Sequence, residues 1–162
     1  MLVLWGVGIL CVLLFGFTAF FGAPFLPTLK NRTNDALDML DLKKGELLLE
    51  LGSGDGRLLA EAARRGIKSI GYELNPLLVW YSKIRLWKYR KLAKVKVANY
   101  WQIDLPKADG IYVFLLQPYM QKLDKKLSQS NITPVKLVSF AFTIPNKKPV
   151  QEKQGMRLYL YK

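Results

Sequence analysis

The most informative stretch of this 162-residue chain reads Glu50-Leu51-Gly52-Ser53-Gly54-Asp55-Gly56-Arg57. It completes the apolar run Leu47–Leu51, which predicts a buried strand, and it leads into Arg57–Arg65, which predicts a helix closed by Gly66. Its three glycines permit a sharp turn and let a ligand approach main-chain N–H groups at a helix N-terminus. A strand, a glycine-rich turn and a helix in this order predict a cradle for a nucleotide-like cofactor.

The spacing of the turn narrows the choice of cofactor. The third glycine comes one residue earlier than in the dinucleotide fingerprint G-x-G-x-x-G, and the Lys-Ser/Thr ending of a phosphate-binding loop is missing. Glu50 and Asp55 flank the glycines, and their carboxylates would repel a pyrophosphate but suit the cationic amino-acid end of S-adenosylmethionine. Glu73 ends the next predicted strand, about 20 residues on, where an acid can accept hydrogen bonds from both ribose hydroxyls. The sequence therefore predicts S-adenosylmethionine binding by Glu50, Gly52, Ser53, Gly54, Asp55, Gly56 and Glu73.

Strands and helices alternate through the rest of the chain. A short helix capped by Thr33 or Asn34 and reaching Leu42 precedes the first strand. After it the patterns predict strands at Ser69–Glu73, Lys94–Ala98, Gly110–Leu116, Val135–Phe142 and Met156–Tyr161, and helices at Pro76–Lys91 and Tyr119–Leu127. The predicted fold class is therefore α/β, with a doubly wound, mostly parallel, Rossmann-like sheet.

The N-terminal segment differs sharply in composition from the remainder of the chain. Lys and Arg number 25 against 12 Asp and Glu, and all of these charges lie at or after Lys30. The uncharged segment Met1–Ala23 is long enough to cross a bilayer, and a cleaved signal peptide is disfavoured because no basic residue precedes the apolar run. We therefore expect a transmembrane helix at 1–23, a membrane-proximal connector at 24–33 and one domain at 34–162.

The position of the first basic residues predicts the orientation of the chain. Lys30 and Arg32 follow the apolar segment closely, so the positive-inside rule places the C-terminal domain on the cytoplasmic side. A microbial plasma membrane is the expected host, and a mitochondrial membrane if the source is eukaryotic.

Several chemistries are excluded by composition. The chain has no His, and its single Cys, Cys11, lies inside the apolar run. Catalysis by Ser-His-Asp or Cys-His, a structural zinc site and an intrachain disulfide are therefore ruled out. We expect no metal, and proton transfer must use carboxylates, Tyr, Lys or water.

The motifs resemble a known family. Glu50–Arg57 followed by Gly71–Pro76 resembles the class I, seven-β-strand, S-adenosylmethionine-dependent methyltransferases. More narrowly, the chain is similar to the small membrane-anchored protein lysine methyltransferases, whose mitochondrial members modify adenine nucleotide translocase and the c subunit of ATP synthase. This narrower resemblance also rests on the apolar N-terminus, the connector Pro24–Thr28 and the segment Val113–Leu127. The resemblance implies N-methylation of a lysine side chain in a membrane protein. It adds Thr28, Leu74, Asn75 and Tyr100 to the predicted cofactor-binding residues.

Two departures from the family pattern bear on the site. Eukaryotic relatives carry Asp-Leu-Trp where this chain reads Asn99-Tyr100-Trp101, so the resemblance implies that the Asn99 carbonyl accepts from the adenine amine. The segment Leu116–Tyr119 only partly resembles the Asn/Asp-Pro-Pro-Tyr/Phe element of amine methyltransferases. It implies that Gln117 and Tyr119 face the acceptor as catalytic residues, with a helix cap and a core aromatic as the alternative. Aromatic walls that desolvate a lysine are expected from Tyr72, Tyr100, Trp101 and Tyr119.

A basic segment follows the second strand. Seven Lys and Arg residues lie within Lys83–Lys96, a stretch with no acid, and they are interleaved with the apolar residues Ile84, Leu86, Trp87, Tyr89 and Leu92. The pattern predicts a helix with one buried face and one strongly basic face, suited to an anionic membrane surface. A solvated face and nucleic acid are the competing interpretations, and the N-terminal anchor argues against nucleic acid.

Two other functions stay open at this point. The degenerate acceptor motif also allows methylation of a lipid, quinone or other small molecule, with RNA as a weaker alternative. The small size and the departure at Asn99 also allow a non-catalytic basic membrane adaptor.

Overall fold

One seven-stranded mixed sheet organises the part of the chain that the computed structural model describes, which is Trp5, Gly6, Gly8 and residues 30–162. The helices are α1 (Lys30–Leu40), α2 (Arg57–Arg64), α3 (Pro76–Arg85) and α4 (Gln117–Ser128), and a single 3₁₀ turn spans Trp87–Tyr89. The strands are β1 (Leu47–Leu51), β2 (Lys68–Glu73), β3 (Ala93–Val97), β4 (Gly110–Val113), β5 (Val135–Phe140), β6 (Gln151–Lys153) and β7 (Met156–Tyr161).

The strand order is β3-β2-β1-β4-β5-β7-β6. The first five strands are parallel, whereas β7 runs antiparallel to β5 and β6. The predicted Rossmann-like, mostly parallel sheet is confirmed. Strands β2 and β3 lie on one side of β1, and β4 and β5 lie on the other, so the strand order switches direction between β1 and β4. Open α/β sheets bind ligands at such a switch point, outside the carboxyl ends of the strands.

Helices cover both faces of the sheet because its central strands are apolar on both sides. Along β1, Leu48 packs with α1 and α2, while Leu49 and Leu51 pack with α4 on the other face. Helix α3 is held against α2 and β3 by a third cluster that includes Val79, Leu86 and Val95. This packing fixes the loops at the carboxyl edge of β1, β2 and β4.

Several element boundaries differ from the predicted ones. Helix α1 begins at Lys30, before the predicted caps Thr33 and Asn34, and it ends at Leu40 rather than Leu42. Helix α3 stops at Arg85 instead of reaching Lys91, and Leu86, with φ −85° and ψ 0°, leads into the 3₁₀ turn Trp87–Tyr89. Strands β4 and β5 end at Val113 and Phe140, before the predicted Leu116 and Phe142, and β6 was not predicted.

The predicted membrane-spanning segment, Met1–Ala23, falls outside the described residues except for Trp5, Gly6 and Gly8, and so do residues 24–29 with Thr28. Among the helices that the structure describes, none combines the length and the apolar character needed to cross a bilayer.

Candidate cofactor and methyl-acceptor site

The glycine loop between β1 and α2 adopts a conformation that only glycines accept easily. Gly52, Gly54 and Gly56 have φ angles of +87°, +52° and +73°. A Cβ added at Gly52 would meet nothing within 4 Å, whereas one at Gly56 would lie 2.9 Å from Ser82 Oγ of α3. Gly52 therefore leaves open space for a ligand beside the main chain, and Gly56 allows α3 to pack closely on the loop.

The Glu73 carboxylate holds this loop next to the end of β2. Its Oε2 accepts a hydrogen bond from Gly54 N at 2.9 Å, and its Oε1 accepts one from Asn75 N at 2.8 Å. Each carboxylate oxygen can accept a second bond, so Glu73 keeps acceptor capacity for ligand hydroxyls. The structure therefore brings Glu73 to the glycine loop, at the edge where the sequence places it, and gives it a structural role that the sequence did not predict.

Two buried polar atoms beside the loop lack hydrogen-bond partners among the described residues. They are Oε2 of Glu50, which is 6% exposed, and Oγ of Ser53, which packs against Gly71 of β2. Burial, together with the negative charges of Asp55 and Glu73, raises the pKa of Glu50 well above its usual range, although Arg57 opposes this. A buried carboxyl oxygen without a partner costs free energy unless a ligand satisfies it.

Asp55 lies between two arginines. Its carboxylate pairs with Arg57 at 2.7 Å and with Arg85, the last residue of α3, at 3.0 Å. Burial alone would raise the pKa of Asp55, but the hydrogen bonds and positive charges of Arg57 and Arg85 lower it overall. Asp55 thus ties the glycine loop to α2 and α3, and its charge is balanced within the protein.

Aromatic side chains gather beside Glu73. The Trp101 ring lies 4.8 Å from that of Tyr100 and 6.3 Å from that of Tyr119, between centroids. Burial, with Glu73 and Tyr119 nearby, raises the pKa of Tyr100. These three residues form the aromatic cluster, whereas Tyr72, predicted as a fourth wall, is 3% exposed within the core. Asn99 precedes the cluster, and its Oδ1 accepts a hydrogen bond from Trp101 N at 3.1 Å, which leaves one further acceptor position for a ligand amine.

Gln117 opens α4 and is bonded to a distant loop. Its Nε2 donates to Thr143 O at 3.0 Å, and its Oε1 accepts from Thr143 N at 3.1 Å. Both polar atoms of the amide therefore hold the loop after β5, which makes Gln117 a positioning residue for this loop, and one N–H and one lone pair of the amide remain. The long sequence separation explains why only the structure reveals this pair.

Other predicted residues support the turn after β2. Asn75 is buried, and its Oδ1 caps α3 by accepting from Leu77 N at 2.9 Å, while Leu74 is half-buried beside it. The sequence missed Ser82, a buried residue of α3 whose Oγ donates to Gly54 O at 2.9 Å. The described part of the chain contains no group of three or more His, Cys, Asp or Glu that could hold a metal ion.

Solved structures share this architecture. The chain superimposes on an RNA methyltransferase from Salinibacter ruber in complex with S-adenosyl-L-homocysteine with a TM-score of 0.74 at 24% identity, covering 84% of this chain and 92% of that one. A methyltransferase from Geobacter sulfurreducens, also in complex with S-adenosyl-L-homocysteine, gives a TM-score of 0.63 at 17% identity, over 83% of this chain and 58% of that one. The fold is that of the Rossmann-like methyltransferases.

Sequence comparison gives the family. The ANTKMT methyltransferase domain family matches residues 50–151, and the chain belongs to this family, which confirms the predicted relationship.

Curated relatives share part of their length with the chain. It is 32% identical to the human lysine N-methyltransferase of the ATP synthase c subunit over 128 residues, 78% of this chain and 54% of the relative. It is 30% identical to mouse adenine nucleotide translocase lysine N-methyltransferase over 130 residues, 78% of this chain and 56% of the relative. The chain thus spans about half the length of these relatives. A protein-lysine N-methyltransferase of Saccharolobus islandicus (strain REY15A) is 24% identical over 78% of this chain and 81% of its own length.

The site fits S-adenosylmethionine. The open space at Gly52 admits a ligand beside the main chain, and the unpartnered Glu50 Oε2 offers an acceptor next to it. Glu73 is oriented at the neighbouring strand end with acceptor capacity to spare. A cationic amino group and a ribose diol would satisfy these acceptors in a way that a pyrophosphate would not.

Proposed function

We propose that this protein is an S-adenosylmethionine-dependent methyltransferase that N-methylates a lysine side chain of a membrane protein. The observation that carries the proposal is the meeting, at the switch point of the sheet, of the glycine loop, the Glu73 carboxylate and the aromatic cluster. The family and the lysine N-methyltransferase names of the relatives support it.

Bound S-adenosylmethionine supplies a methyl group on a positively charged sulfur. Glu73 would accept hydrogen bonds from the ribose hydroxyls, Glu50 would accept from the cationic amino end, and the Asn99 carbonyl would accept from the adenine amine. Methyl transfer mainly needs the acceptor held in line at near-attack distance, so positioning is the principal contribution expected of the protein.

The aromatic cluster suits a lysine acceptor. A lysine with a pKa near 10.4 must lose its proton before it attacks, and an aromatic, weakly hydrated channel favours the neutral amine by desolvating the ammonium. Before deprotonation, the faces of Trp101 and Tyr119 can also hold the ammonium group by cation–π attraction. Lys122 Nζ already lies 4.6 Å from the centroid of the Trp101 ring, so this ring accepts a lysine ammonium within the protein. In this scheme Tyr119 faces the acceptor and Gln117 holds the loop beside it.

The proposal also covers the setting of the enzyme. The apolar segment Met1–Ala23 would anchor the chain once in a membrane, with the α/β domain on the cytoplasmic side, or in a mitochondrial membrane in a eukaryote. The acceptor lysine would then belong to a membrane protein presented at an anionic membrane surface.

The decisive experiment adds isotopically labelled S-adenosylmethionine and the full-length protein to host membranes, with Glu73→Ala as the inactive variant. Because Glu73→Ala also removes two bonds to backbone N–H groups, Asp109→Ala is the matched control. Asp109 Oδ2 accepts from Leu47 N at 2.7 Å, at the opposite end of β1, so this control loses a similar bond away from the site. Label in a discrete protein band, released as methyl-lysine on hydrolysis, is expected with the native chain and Asp109→Ala but not with Glu73→Ala.

Other outcomes would replace the proposal. Label only in solvent-extractable lipid would assign the enzyme to small-molecule methylation, and label only in nucleic acid would assign it to RNA. No label, together with no binding of S-adenosylhomocysteine, would identify a non-catalytic adaptor.

A further inference from the structure

Helix α3, together with Leu86 and the 3₁₀ turn that begins at Trp87, is apolar on two opposite sides. Val79 and Leu86 face the core, whereas the outward side carries Leu77, Trp80, Tyr81, Ile84 and Trp87, which are 45%, 65%, 48%, 55% and 70% exposed. The sequence predicted that Ile84 and Trp87 would be buried and that the outward side would be basic. The prediction is wrong for both residues, whereas of the other interleaved apolar residues Leu86 is buried and Tyr89 and Leu92 are half-buried against the core.

These five residues, named here the α3 outer face, form a stripe. Leu77, Tyr81 and Ile84 recur at spacings of four and three, and Trp80 lies between them on the same side of the helix. One apolar side of this helix is covered by the core, and the second lacks a cover among the described residues. Clustered exposed apolar residues of this kind mark an interaction site.

Basic side chains border the stripe. Lys83, Lys88, Arg90 and Lys91 are exposed, and within residues 30–162 none of them forms an ion pair. The Arg90 guanidinium lies 5.2 Å from the Trp87 ring centroid, so charge and aromatic ring are presented together. From Leu74 to Ile103 the chain has no acidic residue.

We propose that the α3 outer face binds the interface of an anionic lipid bilayer. Trp and Tyr rings prefer the headgroup region, Leu77 and Ile84 would enter the acyl boundary, and the bordering basic residues would meet anionic headgroups. A second copy of the chain is disfavoured because it would bring the same positive charges face to face. Nucleic acid is disfavoured because the aliphatic side chains Leu77 and Ile84 offer nothing to bases or phosphates.

This contact places the membrane beside the site. Helix α3 begins at Pro76, three residues after Glu73, so the bilayer would lie along the helix that starts at the cofactor edge. The inference extends the membrane setting of the proposed function, but it concerns a second contact besides the N-terminal segment and does not require methyl transfer. Its test therefore measures lipid contact and not activity.

The test uses the full chain in a Cys11→Ser background, reconstituted into phosphatidylcholine vesicles with or without phosphatidylserine. A nitroxide is attached at Trp80→Cys or, independently, at Ile84→Cys, and its access to oxygen and to an aqueous nickel chelate reports its depth. The matched control is Lys125→Cys, on an exposed position of α4, which packs on the other face of the sheet. In anionic vesicles, positions 80 and 84 should be shielded from the chelate and open to oxygen, while position 125 stays aqueous.

Charge reversal and competing partners complete the test. Lys88→Glu with Arg90→Glu should weaken binding of the α3 outer face to anionic vesicles by about fivefold or more per basic residue, which is measured as greater access of the nickel chelate to positions 80 and 84. Added salt should have the same effect. The inference would be overturned if, in anionic vesicles, positions 80 and 84 stayed as accessible to the nickel chelate as position 125. Shielding by added RNA in place of vesicles, or nitroxide–nitroxide broadening that grows with the protein-to-lipid ratio, would overturn it in favour of nucleic acid or of a second copy.

Discussion

At the scale of single residues, the glycines of the loop have separate tasks. Gly52 keeps space open, Gly54 donates its N–H to Glu73, and Gly56 lets Ser82 approach. All three have positive φ, so a stability measurement alone cannot tell which glycine serves a ligand. Gly45 allows that distinction, because it has a φ of +90° and open space at its Cβ position but lies in the turn before β1.

We therefore predict different outcomes for Gly52→Ala and Gly45→Ala. Both should lower the free energy of unfolding by about 1–2 kcal/mol, because both force an L-residue into the left-handed region. Only Gly52→Ala should also weaken S-adenosylhomocysteine binding, by tenfold or more on the scale of about 1.4 kcal/mol per decade, because its methyl group fills the space of the ligand. Calorimetric titration and denaturant unfolding check the pair. Equal affinities for the two variants would show that the cofactor does not approach Gly52.

The buried Glu50 predicts a pH dependence of stability. Its raised pKa means that, between the ordinary carboxyl pKa near 4.3 and the raised value, the folded chain keeps a proton that the unfolded chain releases. The free energy of unfolding should therefore fall as pH rises through this interval, by at most about 1.4 kcal/mol per pH unit, and be unaffected by Glu50 below it. Glu50→Gln cannot titrate and should remove this fall. Denaturant unfolding of the ligand-free proteins across the acid range checks the prediction, and parallel curves would contradict it.

At the scale of elements, the site depends on contacts between segments far apart in sequence. The amide of Gln117 fixes the loop after β5 to the start of α4, and Ser82 and Arg85 fix α3 to the glycine loop. These contacts link the cofactor-binding edge of the sheet to α4, where Tyr119 is proposed to face the acceptor, and to α3, whose outer face is proposed to meet the membrane.

Replacing Gln117 should loosen the loop that it holds. Gln117→Ala removes both hydrogen bonds to Thr143, each worth about 0.5–1.5 kcal/mol, so the Thr143 amide should exchange with solvent roughly tenfold faster. Gln121→Ala, at an exposed position one turn further along α4, is the control and should leave this exchange unchanged. Hydrogen exchange with mass spectrometry checks both. Unchanged exchange at Thr143 in Gln117→Ala would mean that other contacts hold the loop.

At the scale of the whole molecule, local patterns in the sequence predicted the sheet, whereas the site contacts and the exposed side of α3 depend on long-range packing. The apolar run at β1, the glycine turn and the alternation of elements were sufficient for a mostly parallel α/β fold. Strand β6 escaped prediction because its three residues, Gln151, Glu152 and Lys153, are polar and exposed and show no alternation of apolar and polar side chains.

The site was predicted in the same uneven way. Glycine spacing and the position of Glu73 are local features, and the structure brings them together. The pairs Gln117–Thr143 and Asp55–Arg85 and the outward apolar side of α3 depend on how distant segments pack, and no local spacing encodes them. The spacing of basic residues also could not show which side of α3 is buried. Once Val79, Ser82 and Leu86 pack inward, the helical repeat places Ile84 on the opposite side.

The attachment of α3 to the glycine loop has an energetic consequence. Ser82 and Arg85 hold Gly54 and Asp55, while the opposite side of the same helix is the surface proposed to meet lipid. Anionic lipid bound to α3 would hold the helix where Ser82 and Arg85 keep the glycine loop in place, so lipid and cofactor would favour the same arrangement. By thermodynamic reciprocity each would then raise the affinity for the other by the same factor. We predict that S-adenosylhomocysteine binds the full chain more tightly in anionic than in uncharged vesicles, and that Arg85→Gln reduces this difference. Equal affinities in both vesicles would mean that α3 does not couple the two sites, whereas a difference that Arg85→Gln reduces would mean that cofactor binding depends on the charge of the surrounding membrane.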